Sequence, residues 1–212
     1  MLSGTTISSF EQHYISLRRK EGRLYQDEQV RRLPGINADH PLRHEWALRA
    51  ESAGRLAGYL SVRKPGSAIL EVGCGNGWLA NFLLSVPGST VTGIDINTVE
   101  LEQAKRVFQN ERLQFACGSP EDFRDSLFDV IVFAASLQYF PSAPLVLQAA
   151  LEMLKPGGEI HITDTAFYSV VGSITARQRS ENYFRAAGEP GMCDFYFHHS
   201  LRDLGSFRYT IL

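Results

Sequence analysis

The sequence has few cysteines and no long apolar run. Its three cysteines, Cys74, Cys117 and Cys193, lie far apart and form no CxxC pair, so neither a disulfide framework nor a zinc site is expected. The longest apolar stretches, such as VIVFAA, fall well short of the roughly 18 residues that a membrane helix needs. The N-terminal MLSGTTISSF lacks the apolar core of a signal peptide. These absences predict a protein of the reducing cytoplasm without a membrane segment.

Neither sign of charge is in excess. The formal net charge is −2 and the pI is about 6.3, so no general attraction to nucleic acid or anionic membranes is expected. No Asp/Asn pair has metal-ligand spacing, so we expect no metal site. The 212 residues are 44% hydrophobic, which is typical of a soluble α/β domain with a sizeable core.

From residue 65 onward, short apolar strands alternate with amphipathic helices. FDVIVFAA is apolar almost throughout, as expected for a parallel strand that is covered on both faces. DFYFHH and FRYTIL have the pattern of a closing pair of strands. Together with AILEV, TVTGIDI, LQFACG, FDVIVFAA and EIHITDT, they predict an α/β fold with a doubly wound, mainly parallel, seven-stranded sheet.

Residues 1–64 are more polar and are predicted to be mostly helical. An apolar stripe with helical spacing runs along Trp46, Ala50, Ala53, Ala57 and Leu60. We expect a helical lid or extension over residues 1–64, followed by a ligand-binding domain over 65–212. The segment LRRKEGRLYQDEQVRR is read as a solvated helix face, with a basic patch for a phosphate-bearing substrate as the alternative.

Three glycines stand between the first strand and its helix, in ILEVGCGNG. Gly73, Gly75 and Gly77 permit positive φ angles and remove the Cβ atoms that would keep a ligand off the backbone. At the carboxyl edge of a parallel sheet, such a turn lies where ligands bind. A dinucleotide fingerprint would read G-x-G-x-x-G, but Trp78 occupies its sixth position, which disfavours NAD.

Asp95 ends the second strand, 22 residues after Gly73. An acidic side chain there can accept hydrogen bonds from both ribose hydroxyls of a nucleoside, or it can cap the following helix. Ser119 and Pro120 follow the third strand, where they would border an adenine ring. The segment 134–139 follows the fourth strand and would run under the ligand.

In order and spacing, LEVGCGNG, GIDIN and LKPGGEIHITD resemble the motifs of the class I S-adenosylmethionine-dependent methyltransferases, most closely the small-molecule, type 11 group. The resemblance covers residues 66–165. It implies a Rossmann-like methyltransferase fold, S-adenosylmethionine as cofactor, and in-line methyl transfer to an oxygen, nitrogen or carbon atom of a small organic acceptor, by a monomer or homodimer. The cofactor-binding residues implied are Glu71, Gly73, Cys74, Gly75, Gly77, Asp95, Ile96, Ser119, Pro120, Ala134 and Ser136.

One position departs from the family pattern. Members often carry Gly-Asp-Ala after the third strand, where this chain has Gly118-Ser119-Pro120. In the family this Asp binds the adenine amino group. Here Asp122 is the candidate to replace it. A catalytically silent cofactor-binding subunit and a nicotinamide-dependent reductase are the alternative functions.

Candidate general bases are few, and methyl transfer needs one only for an alcohol or a protonated amine. We single out His44, Tyr139 and His198 as catalytic candidates. The predicted lid adds Tyr14, Tyr25 and His40, which can pack on an organic acceptor. No Asn/Asp-Pro-Pro-Tyr/Phe motif follows the fourth strand, which argues against methylation of DNA bases or of a glutamine side chain.

Overall fold

The computed structural model describes residues 4–211, with side chains from residue 9 onward. Its helices and strands alternate over most of the chain, as the sequence predicts. The helices are α1 (Gly4–Lys20), α2 (Asp27–Arg32), α3 (Arg43–Arg63), α4 (Trp78–Leu83), α5 (Thr98–Val107), α6 (Ala143–Glu152) and α7 (Val170–Ala186). The strands are β1 (Ala68–Val72), β2 (Thr90–Asp95), β3 (Leu113–Cys117), β4 (Phe128–Ala134) and β5 (Leu154–Thr163). None of the described helices is both long enough and apolar enough to cross a membrane.

The five strands form one parallel sheet in the order β3-β2-β1-β4-β5. The chain first builds outward from β1 to β3 and then returns to place β4 on the other side of β1. The carboxyl ends of β1 and β4 therefore flank the point where the winding direction changes, which is the usual ligand position in such sheets. This confirms the predicted doubly wound α/β class.

Two apolar cores cover the two faces of the sheet. On one face, α3 and α4 pack on β1 and β4, with Leu60, Leu83 and Val130 fully buried. The predicted stripe on α3 points into this core: Trp46, Ala53, Ala57 and Leu60 are buried there. On the other face, α6 packs on Ile131 and Phe133.

The N-terminal region divides between two places. The α2 and α3 helices belong to the first core, through buried Val30 and Trp46 among others. The α1 helix instead joins a third apolar cluster, in which Phe10 and Leu17 contact α7 and the segment after it. Its Glu11 carboxylate accepts hydrogen bonds from the Thr98 backbone N–H and hydroxyl, both at 2.6 Å. The α1 helix therefore lies against the start of α5, at the carboxyl edge of the sheet.

The sheet has five strands in the described residues, so the prediction of seven was wrong. DFYFHH and the described part of FRYTIL are not strands; Leu212 lies outside the described residues. Phe195 and Tyr196 pack into the third cluster instead of pairing along a sheet edge. The Phe197 backbone N–H donates to the Gln138 carbonyl at 2.7 Å, and only an isolated bridge joins Tyr168 to Ser200. The alternating aromatic pattern reflects this loop packing.

Two glycines with nearly the same φ distinguish the cost of backbone strain from the cost of overpacking when an alanine replaces them. Gly77 (φ +76°) leaves no room, since a Cβ would lie 2.5 Å from the Phe115 ring and 2.8 Å from the Ala104 Cβ. Gly157 (φ +77°) has no heavy atom within 4 Å of that position. We expect Gly157→Ala to cost about 1–2 kcal/mol from the left-handed backbone alone and Gly77→Ala a further ~1–3 kcal/mol from overpacking. Urea unfolding measures both, and equal losses would contradict the packing role.

Candidate cofactor and acceptor site

The glycine loop leaves β1 at its carboxyl end and is tied to the neighbouring strand. The backbone N–H groups of Gly73 and Cys74 both donate to the Ile94 carbonyl, at 2.8 and 3.0 Å. All three glycines have positive φ. A Cβ on Gly73 would lie 2.5 Å from the Ser136 Cβ, so at Gly73, as at Gly77, the packing of the protein itself already requires glycine. Gly75 is different, because its Cβ would meet only the Glu100 carboxylate, at 3.2 Å.

Asp95 holds the loop from the end of β2. Its carboxylate accepts from the Gly75 and Asn97 backbone N–H groups, both at 2.7 Å. The cap of α5 is Asn97, whose side chain accepts from the first-turn N–H groups of Val99 and Glu100. Burial raises the pKa of Asp95, while its backbone hydrogen bonds favour the ionised form.

Glu71 is a buried carboxyl with a free oxygen. It is 3% exposed, and its Oε2 has no hydrogen-bond partner among the described residues. Burial raises the pKa of Glu71 well above its usual value, and the charge of Asp95 raises it further. A buried carboxyl oxygen left unpaired in a cavity wall is suited to a positively charged ligand group.

Glu100 brings a second fully buried carboxyl to the same loop, beside half-buried Asp95. Burial is the main factor that raises its pKa, to about 7, and Asp95 adds to this while Arg18 opposes it. The neighbouring Cys74 thiol also has a raised pKa because it is buried. In the described part of the chain, no group of three His, Cys, Asp or Glu side chains could hold a metal ion.

Two adjoining cavities open at this edge of the sheet. The first, here called the loop cavity, has a volume of about 70 Å³. Besides Glu71, Gly73, Cys74, Gly75 and Glu100, its walls include Tyr14, Tyr25, Trp46 and Ala134. The second, here called the arginine pocket, has a volume of about 420 Å³. The residues that line both cavities are Arg18, Arg23, Arg49, Ala135 and Asp164.

The remaining residues predicted for the cofactor lie around these cavities, outside their lining. The Ser136 hydroxyl donates to the Val72 carbonyl at 2.6 Å. Ser119 and Asp122 form a capping box, in which the Ser119 backbone N–H donates to Asp122 Oδ2 at 2.8 Å. Pro120 is buried beside it, and Ile96 packs in the third cluster.

Of the predicted catalytic side chains, one reaches a cavity. Tyr139 lines the arginine pocket, but burial raises the pKa of its phenol, so it stays neutral. His44 is exposed at the start of α3 and lines neither cavity. His198 also lines neither; its Nε2 lies 2.9 Å from the Ser180 hydroxyl, and burial lowers its pKa.

The arginines are the site residues that sequence reasoning missed. Arg18 and Arg23 fall in the segment that was read as a solvated helix face, yet their side chains are only 19% exposed. Arg49 is 21% exposed, on the polar side of the α3 stripe. The excess of arginine over lysine in 17–32 is the one available signal, since arginine is favoured in half-buried ion pairs.

Comparison with known proteins agrees with the fold and the glycine loop. A family model described as a methyltransferase domain matches residues 70–162. This match supports a class I S-adenosylmethionine-dependent methyltransferase domain over residues 70–162. The match runs from the residue before Glu71 to near the end of β5, so it includes the glycine loop and the edge of the sheet that bears the two cavities.

Individual relatives are more distant. A malonyl-[acyl-carrier protein] O-methyltransferase of Priestia megaterium is 28% identical over 127 residues, 59% of this chain and 44% of that protein. A ribosomal protein L11 methyltransferase of Burkholderia mallei is 35% identical over 120 residues, 56% and 35% of the two chains. The matched region thus spans less than half the length of either relative.

Solved structures share this methyltransferase fold. A magnesium protoporphyrin IX methyltransferase from Synechocystis, solved with bound SAH, superposes with a TM-score of 0.59 at 16% identity, covering 84% of this chain and 79% of that one. The YcgJ protein of Bacillus subtilis gives 0.62 at 18% identity, covering 74% and 65%. At these identities the likeness concerns the fold alone.

The buried Glu71 carboxyl makes a pH-dependent prediction. Because its pKa is raised in the folded state, the folded protein holds a proton that the unfolded chain releases, so stability falls as pH rises above the ordinary glutamate pKa. We expect Glu71→Gln to lose less stability than the wild type between pH 5 and pH 8, by on the order of 1 kcal/mol. Urea unfolding at both pH values tests this, with Glu121→Gln, an exposed glutamate, as control. Parallel losses in wild type and Glu71→Gln would show that Glu71 is solvated or already paired.

Proposed function

We propose that this protein transfers the methyl group of S-adenosylmethionine to a small organic acceptor by in-line displacement. The observation that carries the proposal is the convergence of three carboxyls, buried Glu71 and Glu100 and half-buried Asp95, on one glycine loop. Such a site favours a ligand that is positively charged and rich in hydrogen-bond donors. S-adenosylmethionine fits this description through its ammonium, sulfonium and ribose groups.

Each part of the site has a role in this proposal. Glu71 lines the loop cavity, its Oε2 lacks a partner among the described residues, and in this proposal it binds an ammonium group. Asp95 keeps the loop in place and presents its carboxylate to the ribose hydroxyls. The residues that follow β4 and β5, Ala135 and Asp164, separate this cavity from the arginine pocket, where the acceptor binds.

The bound cofactor supplies a methyl group that is already activated by its positive sulfur. The protein then has to hold the acceptor atom in line, at near-attack distance, and keep water out. A volume of about 420 Å³ suits a small-molecule acceptor. No step in this scheme needs His44 or His198.

We further propose that the cover over the site, assigned by sequence to residues 1–64, is α1. The α2 and α3 helices share the main core, whereas α1 closes the loop cavity with Tyr14 and Arg18. At about 70 Å³, that cavity is smaller than the roughly 300–1,000 Å³ of ordinary ligand pockets. The α1 helix therefore opens to admit the cofactor and then docks over it.

Cofactor binding is tested first by calorimetry. We expect S-adenosylhomocysteine to bind and NADH not to bind. Asp95→Ala should weaken S-adenosylhomocysteine binding by on the order of 1–3 kcal/mol, because two hydrogen bonds to a charged acceptor are lost. Asp125→Ala, an exposed residue between β3 and β4, is the matched control.

Transfer is tested by following S-adenosylhomocysteine release from S-adenosylmethionine with a panel of hydroxyl, amine and carboxylate acceptors. No heat with S-adenosylhomocysteine at millimolar concentration would refute the proposed function. An unchanged dissociation constant in Asp95→Ala would limit Asp95 to anchoring the loop.

The cover is tested by limited proteolysis. Trypsin cleaves after Arg19 and Lys20, at the end of α1, only when that helix undocks. If the docked form alone holds the ligand, ten times the dissociation constant of S-adenosylhomocysteine should slow this cleavage about tenfold. Cleavage after the exposed Arg208 is the internal control. Equal rates at Arg19 and Lys20 with and without ligand would show that α1 is not the cover.

A further inference from the structure

We propose that the acceptor carries a carboxylate, which Arg18 and Arg49 bind in the arginine pocket and which is methylated on oxygen. This inference rests on the proposed methyl transfer and names its substrate class. The basis of the inference is that arginine side chains in the pocket wall are only partly paired with acidic groups of the protein.

The arginines of the pocket differ in how well they are paired. The two terminal nitrogens of Arg23 both donate to Glu45, at 2.6 Å each. Its Nε lies 3.0 Å from a Glu21 oxygen but makes no hydrogen bond within the described residues. This arginine is a structural part of the wall.

Arg18 has no such partner. Its terminal nitrogen donates to the neutral Tyr14 hydroxyl at 2.9 Å, and its nearest carboxylate in the described chain, Glu21, is 3.7 Å away. A guanidinium has five N–H donors, so most of those on this half-buried side chain are unused by the protein. Arg49 is paired more closely, with Glu45 at 3.0 Å, but it shares that carboxylate oxygen with Arg23. Its guanidinium carbon lies 5.3 Å from the centre of the Trp46 ring.

The charges around the pocket leave a positive excess. Four arginines line it, namely Arg18, Arg23, Arg49 and the exposed Arg179. The acidic residues in the lining are Glu21, Glu45 and Asp164, and Asp164 also accepts a hydrogen bond from the Ser52 hydroxyl at 2.8 Å. One bound carboxylate would balance this set. Planar guanidinium groups also match carboxylate geometry.

The rest of the wall indicates what the carboxylate is attached to. Tyr139, Tyr183, Phe184 and Tyr196 line the side of the pocket toward α7. Their rings provide flat, largely apolar surfaces. We therefore infer an acid that carries an aryl or similarly flat apolar group.

A carboxylate acceptor also needs no histidine or tyrosine base. Among the described lining residues there is no histidine, and burial raises the pKa of Tyr139 and brings that of Tyr196 to about 12. Carboxylic acids are ionised at neutral pH, so no proton has to be removed. The carboxylate oxygen forms the bond to the methyl carbon as the carbon–sulfur bond breaks, and the electron pair of that bond stays on sulfur. The products are a methyl ester and S-adenosylhomocysteine.

The test measures binding, independently of turnover. Benzoate, phenylacetate, 3-phenylpropanoate and 4-phenylbutanoate are titrated against protein saturated with S-adenosylhomocysteine, each beside its methyl ester, by ligand-observed NMR. We expect at least one acid to bind at least tenfold more tightly than its ester. Arg18→Met and Arg49→Met should each weaken that acid about tenfold or more, the loss expected for a charge-assisted hydrogen bond.

The controls are arginines on the same helices. Arg19 is exposed beside Arg18 on α1, and Arg55 on α3 is 76% exposed. Neither lines the pocket, so Arg19→Met and Arg55→Met should bind the acid like the wild type. Far-UV circular dichroism confirms that each variant is folded.

Three results would overturn the carboxylate assignment. The first is that the protein binds S-adenosylhomocysteine but none of the four acids better than its ester. The second is that Arg18→Met and Arg49→Met leave acid binding unchanged. The third is that these variants lose affinity for S-adenosylhomocysteine itself, which would assign the arginines to the cofactor. A protein that binds no S-adenosylhomocysteine would instead refute the proposed function from which the inference starts.

Discussion

The hydrogen bond from the Gly75 N–H to the Asp95 carboxylate fixes the centre of this molecule. It joins the loop after β1 to the end of β2, beside the two bonds that the Ile94 carbonyl accepts from the same loop. With the loop held in this way, Glu71 and Glu100 line one cavity. Burial then limits solvent screening, so that negative charge near the loop acts strongly on a ligand. The proposed affinity for a cationic ligand and the proposed cover both rest on this arrangement.

The two cavities differ in charge although they share a wall. The buried carboxyls Glu71 and Glu100 line only the loop cavity, whereas Arg18, Arg23 and Arg49 line both. Ala135 and Asp164 stand between them with φ angles of +51° and +53°, values that cost energy for residues with a Cβ. These two strained residues directly follow β4 and β5, at the edge of the sheet that bears the cavities. A cationic cofactor and an anionic acceptor would thus be sorted into neighbouring compartments before they meet.

Sequence reasoning located the part of the site that depends on local geometry. The glycine loop and the position of Asp95 at the end of β2 are set by strand–turn–helix signals within a few residues, and the structure has these elements where the patterns indicated. The parallel, doubly wound class follows from the alternation of strands and helices. The prediction of two strands in the C-terminal tail was wrong, because aromatic residues such as Phe195 and Tyr196 are equally compatible with a strand and with a loop that packs on a distant helix.

The arginines could not be found because their burial depends on long-range packing. Arg18 is half-buried only because α1 returns across the carboxyl edge, and nothing in its own segment specifies that contact. The same holds for Glu100, whose position on α5 resembles an ordinary first-turn acid until Tyr14 covers it. His44 and His198 were singled out by residue type alone, and the fold directs both away from the cavities.

The residues of the two compartments come from different parts of the chain, and this affects how such proteins diverge. Glu71, Asp95 and Glu100 lie inside the region that the family model matches, 70–162, whereas Arg18, Arg23 and Arg49 all precede it. If Arg18 and Arg49 bind the acceptor as proposed, substitutions in the N-terminal helices would change which acceptor is bound while the glycine loop stays intact. Proteins that look alike over 70–162 need not share a substrate. Grouping them by the residues at the positions of Arg18 and Arg49 would divide the family along chemical lines that the shared domain conceals.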